Sequence, residues 1–207
     1  MTFESSKTLG GIGAILMVIS VLPYISQLPF IGLIGAILVL VALHGFASAY
    51  KERGIFNNAL YGILAGIIGV VLAAVIGIAV VLPNVTDFLL KVFPSWNGDW
   101  TTITSLSGMI PNTSNIDFGD IIPFITAAIL VIVTLWVFAI IAAFFIRRSL
   151  VQLSAKTNVG LISTAGTLLL IGAVLIFLFG LGLLLMWIGV LILAIAFFRI
   201  RTEETAT

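Results

Sequence analysis

His44 is the single histidine of this 207-residue chain, and it lies inside a long apolar run. Ser48 follows one helical turn later, on the same helix face. A proton relay or a small polar ligand site is the chemistry this pair could serve. The competing role is structural, a neutral imidazole donating to a neighbouring helix, because an apolar environment disfavours the cation. The structural role is the expectation for His44 and Ser48. With one His and no Cys, no metal site is expected within one chain, and no cofactor is expected either. All four Asp (Asp87, Asp99, Asp117 and Asp120) lie in one polar stretch outside the apolar runs. No Asp, Glu, Lys or Arg is placed at membrane depth, where ion-coupled transporters and voltage sensors need them. HExxH and GxSxG are absent, so the chain is expected not to be an enzyme.

The elements carrying these residues are set by hydropathy. Sixty-one per cent of the residues are hydrophobic and 8% charged, against about 25% charged in soluble domains. A net charge of +1 without a basic cluster gives no footprint for nucleic acid. A helix needs about 20 residues to cross a hydrocarbon core of about 30 Å. Apolar runs near residues 9–25, 30–50, 58–82 and 121–146 each meet that length. The last run, Leu161–Phe198, would measure about 57 Å as one helix, so it divides at Gly180 and Gly182 into spans 161–179 and 181–198.

The predicted fold is therefore all-α: one integral membrane domain, residues 1–207, with six transmembrane helices in three in-out-in hairpins. Tyr24, Ser26, Gln27 and Pro29 are expected at the first turn. Gly54 is expected to end the second span, Asn57 or Asn58 to cap the third, and Pro83 to end it. The fourth is expected to start at 121 and to continue past Arg148 through Leu150, Leu153 and Lys156 to a turn at Thr157–Gly160.

Charge orients the spans. Eight of the nine basic residues lie on the side of the termini and only Lys91 lies opposite. The positive-inside rule then makes both termini cytoplasmic and residues 83–120 extracellular, in the cell membrane. This outer stretch holds both Asn-x-Ser/Thr acceptor sequences, at Asn84 and Asn112. Val85, Phe88, Leu89 and Val92 share one helical face, predicting a short amphipathic helix on the membrane surface. Phe88, Trp96 and Trp100 are its expected interfacial anchors, and the Ser/Thr-rich stretch after Trp100 reads as loop.

Gly62, Gly66, Gly69, Ala73 and Gly77 fall within a strip about 80° wide on the third span. Small residues at this spacing let another helix backbone approach closely. The neighbour is either a helix of the same bundle or a second copy of the chain.

Three polar signatures carry a resemblance: Ser6-Lys7-Thr8-Leu9-Gly10-Gly11-Ile12-Gly13, Tyr50-Lys51-Glu52-Arg53-Gly54-Ile55-Phe56-Asn57-Asn58, and Leu153-Ser154-Ala155-Lys156-Thr157. With them the chain resembles an archaeal family of multi-spanning membrane proteins, the domain of unknown function 996. The resemblance implies a helical bundle in an archaeal cell membrane and brings no activity, ligand or catalytic residue. The functional expectation is a non-enzymatic accessory or scaffold protein that contacts the lipid bilayer, and another membrane protein or a second copy of itself. The alternative is a small passive channel or carrier for an uncharged or apolar solute.

Overall fold

The computed structural model describes residues 2–21, 30–114, 116–178 and 180–201. The expected first turn, from Tyr24 to Pro29, lies outside them. The helices are α1 (Phe3–Ile19), α2 (Phe30–Ala49), α3 (Arg53–Val92), α4 (Phe118–Thr157), α5 (Gly160–Val174) and α6 (Leu181–Arg199), with a 3₁₀ helix at Trp100–Gly108. No strand occurs among the described residues. Four helices, α2, α3, α4 and α6, are long and apolar enough to cross a membrane, and α5 is a shorter apolar helix.

Several boundaries differ from expectation. The left-handed residue that closes α2 is Lys51 (φ 52°), not Gly54. The Glu52 amide donates back to the Ala47 carbonyl at 2.9 Å, and α3 has already begun at Arg53. Neither Asn57 nor Asn58 caps it. Asn58 sits inside the helix, where its amide reaches the Gly54 carbonyl (2.7 Å) and the Gln152 side chain (3.2 Å).

Pro83 does not end α3, which runs on to Val92. A mid-helix proline loses one hydrogen bond and crowds the carbonyl four residues back. Packing offsets that loss: the Phe88 ring meets Phe124 edge-on at 5.4 Å, and Val92 is buried. The expected surface helix is therefore the last turns of α3.

At the other end of the outer stretch, α4 starts at Phe118, three residues early, behind a reciprocal cap. The Phe118 amide donates to the Asp117 carboxylate at 2.7 Å, and the Asp117 amide donates to the Asp120 carboxylate at 3.0 Å. The segment after Trp100 is 3₁₀ helix rather than open loop, capped by Asp99. α4 runs to Thr157, and Asn158 (φ 54°) makes the turn into α5. Gly180 (φ 79°) makes the turn into α6.

The chain divides into two compact units, residues 1–67 with 136–207, and residues 68–135. In the first, Phe46 and Phe197 stack with centroids 6.1 Å apart, and Ile55, Leu150, Leu153, Ile162 and Ile200 are buried around them. Backbones come very close between α1 and α2: a Cβ on Gly35 would lie 2.5 Å from the Gly13 carbonyl oxygen, and one on Gly13 would lie 2.6 Å from that of Gly35. α5 and α6 approach similarly, since a Cβ on Gly172 would lie 2.6 Å from the Gly182 carbonyl. In the second unit, Lys91 pairs with Asp120, and the Asn112 amide donates to the Val92 carbonyl at 2.7 Å. There α3 and α4 leave Val70, Val71, Val75, Ile78, Ile129 and Ile132 exposed. An apolar surface of that extent is out of place in water and at home in lipid.

Candidate functional site

The end of α2 and the start of α3 form a polar cavity of about 580 Å³, lined by His44, Ser48, Lys51, Arg53, Phe56 and Asn57. The reversal at Lys51 puts these residues together. His44 is exposed, and its ring meets Phe56 edge-on at 4.8 Å. Among the described residues the imidazole makes no hydrogen bond, so the expected bond to a neighbouring helix is not the contact it makes. The Ser48 hydroxyl donates to the His44 carbonyl at 3.0 Å, a bond within the helix. Glu52, the one acid in this turn, points to Lys156, 3.6 Å away. The cavity thus holds two cations and no carboxylate, with neutral polar groups beside apolar Ala47 and Phe56.

A second cavity, about 540 Å³, lies inside the first unit and takes walls from all six helices. Buried Leu43, Ala59, Leu150 and Leu193 line one end, and exposed Val21 and Leu183 line the other. Its few polar atoms are already engaged. The Ser20 hydroxyl donates to the Met17 carbonyl at 2.8 Å, and the Trp187 indole donates to the Val18 carbonyl at 3.1 Å. Sequence reasoning missed this cavity because Leu, Ala and Val in an apolar helix look alike whether they face lipid, a neighbour or a void.

Of the small-residue strip, Gly62, Gly69 and Ala73 are buried while Gly66 and Gly77 are half-buried. In the first unit a Cβ on Gly62 would meet the Ala142 carbonyl at 2.9 Å, whereas one on Gly66 would meet nothing within 4 Å. In the second, a Cβ on Gly77 would make an ordinary 3.5 Å contact with Val131.

The outer residues fall out differently. Trp96 is only 3% exposed, with its indole donating to the Thr102 hydroxyl at 3.3 Å and its ring edge-on to Trp100. Trp100 remains exposed. Asn84 lies within α3, and its amide donates to the Val80 carbonyl at 2.6 Å. Asn112 is exposed, and its side-chain oxygen accepts from the Ser114 amide. The Thr101 hydroxyl and then its amide hold the Asp99 carboxyl below the usual carboxylate range.

Four helices long and apolar enough to cross a membrane make this, by length and composition, a multi-pass membrane protein. The chain belongs to the family described as protein of unknown function (DUF996), which matches residues 31–196. No curated protein and no solved structure matches it.

Proposed function

We propose that this is a non-enzymatic, six-span membrane protein that holds an apolar molecule, a lipid chain or an uncharged solute of similar size, in its bundle cavity. The observation carrying this reading is the 540 Å³ cavity with apolar walls and its polar atoms engaged. Its volume falls within the range of about 300–1,000 Å³ typical of small-molecule sites. Apolar walls do not retain water, so an apolar occupant is the one that suits them. This favours the carrier or binding reading over a scaffold. α1 and α5 complete the six spans in three hairpins, with both termini cytoplasmic and residues 83–120 outside, as the basic residues indicate.

Solvent extraction and mass spectrometry of the detergent-purified protein test the reading. A retained apolar molecule is expected, and less of it in Ala59→Leu, which narrows the cavity. Recovery of nothing beyond what a control membrane protein retains would overturn it.

A second reading, an accessory subunit contacting a partner through its outer segment, is favoured by Ile110 and Phe118. They are 91% and 67% exposed on a segment tied down by Lys91–Asp120 and by Asn112–Val92. Co-purification of one membrane protein, lost on Ile110→Ser with Phe118→Ser, is its test.

A further inference from the structure

The polar cavity at the α2–α3 turn has properties that the apolar occupant does not explain. Lys51 and Arg53 both line it, and neither side chain makes an ion pair or hydrogen bond among the described residues, although the Lys51 amide donates to the Ser48 carbonyl at 3.3 Å. Lys91, Lys156 and Arg147 are engaged elsewhere, so the positive charge in this cavity comes from Lys51 and Arg53 alone. Glu52 is turned away to Lys156, so no carboxylate competes inside. His44 and Asn57 add N–H donors, and Phe56 forms an apolar wall.

The backbone supplies a further argument. Lys51 closes α2 in the left-handed region at φ 52°. Glycine takes that position at little cost and a side chain with a Cβ takes it at considerable cost. Among the described residues the other non-glycine residue in that region is Asn158, a type that tolerates it. A lysine held there points to a requirement for its ammonium group.

We propose that this cavity binds a phosphate-bearing anion, with Lys51 and Arg53 as the charged donors and His44 and Asn57 completing the set. The Arg53 guanidinium offers paired N–H donors suited to phosphate oxygens, and Lys51 offers a mobile point charge. The surroundings favour a phospholipid headgroup as the source. Val41, Ile37 and Ile34 precede His44 along one face of α2, and all three are exposed. They form an apolar track for an acyl chain, leading to the headgroup site. The proposal is independent of what the bundle cavity holds.

The test uses the full chain in an uncharged maltoside detergent. Dihexanoyl phosphatidylglycerol, dihexanoyl phosphatidylcholine and sodium phosphate are titrated at constant ionic strength, and binding is read by native mass spectrometry and melting midpoint. Phosphatidylglycerol is expected to bind about tenfold more tightly than phosphatidylcholine, which carries no net charge. Lys51→Gly with Arg53→Gln should lose that preference, while Lys7→Gln with Arg201→Gln, which removes equal charge elsewhere, should keep it. Lys51→Gly alone should melt no lower than the parent, because glycine suits the left-handed turn; Lys51→Asn, which also tolerates it, is the second variant. Binding of phosphatidylglycerol alone identifies a lipid headgroup, and equal binding of sodium phosphate identifies a free anion at the same donors. Equal loss in both double variants, or loss in neither, would overturn the proposal.

Discussion

Replacing Gly35 with Ala adds a single methyl group at the closest backbone approach between α1 and α2. Its Cβ would lie 2.5 Å from the Gly13 carbonyl oxygen and 2.9 Å from both the Met17 amide nitrogen and Cγ. Two of those three atoms are backbone, so rotamer change cannot clear the clash and the helices must separate. Forcing extra methyl groups into a packed contact costs about 1–3 kcal/mol. The control is Gly66→Ala, where the new methyl meets nothing within 4 Å. There the substitution should gain about 0.5–1 kcal/mol of helix propensity. Unfolding of the purified protein by dodecyl sulfate titration, followed by far-ultraviolet circular dichroism, compares the two directly. The account requires Gly35→Ala to unfold earlier than the parent and Gly66→Ala no earlier. Equal midpoints for the two variants would refute the argument that α1 and α2 are locked by backbone contact.

Three further outcomes follow from the structure. In a host that glycosylates secreted loops, Asn112 should be modified and Asn84 should not, because the Asn84 amide is engaged inside α3; a mass shift lost on Asn84→Gln would contradict this. On intact cells Ser95→Cys should react with an impermeant maleimide and Ala155→Cys only after lysis, with the reverse pattern refuting the proposed orientation. Asp117→Ala removes the cap of α4 and should cost about 0.5–2 kcal/mol locally. Faster amide exchange at Gly119–Ile121 with little change in global melting is the expected readout, and unchanged exchange would show the cap to be idle.

Much of the helical layout was legible because length and punctuation agree in this chain. Leu161–Phe198 is too long for one span, and Gly180 takes the positive φ where the chain turns back. The polar stretch to Lys156 likewise extends α4 to Thr157. Prolines misled where tertiary contacts outweighed them, as at Pro83, where Phe88 packs on Phe124. The Asp117–Asp120 spacing is a start signal readable in the sequence, and it places the start at Phe118, ahead of the expected 121, because the two carboxylates cap the helix there. Gly13 and Gly35 form no strip on a single helix, since their contact joins two successive helices, α1 and α2. His44 and Ser48 were picked out as a pair, yet Lys51 and Arg53 join them only because a lysine adopts a glycine-like turn. The apolar cavity had no signature at all, because a void leaves no mark on the residues around it.

Trp187 lines the bundle cavity and can report whether an apolar chain enters it. A variant keeping Trp187 alone, with Trp96, Trp100 and Trp136 changed to Phe, is reconstituted with phospholipids brominated at mid-chain. Quenching of Trp187 is predicted, and Ala36→Phe, which places a ring on the cavity wall, should reduce it. Fluorescence that ignores the brominated chains, or quenching that Ala36→Phe leaves unchanged, would contradict the account.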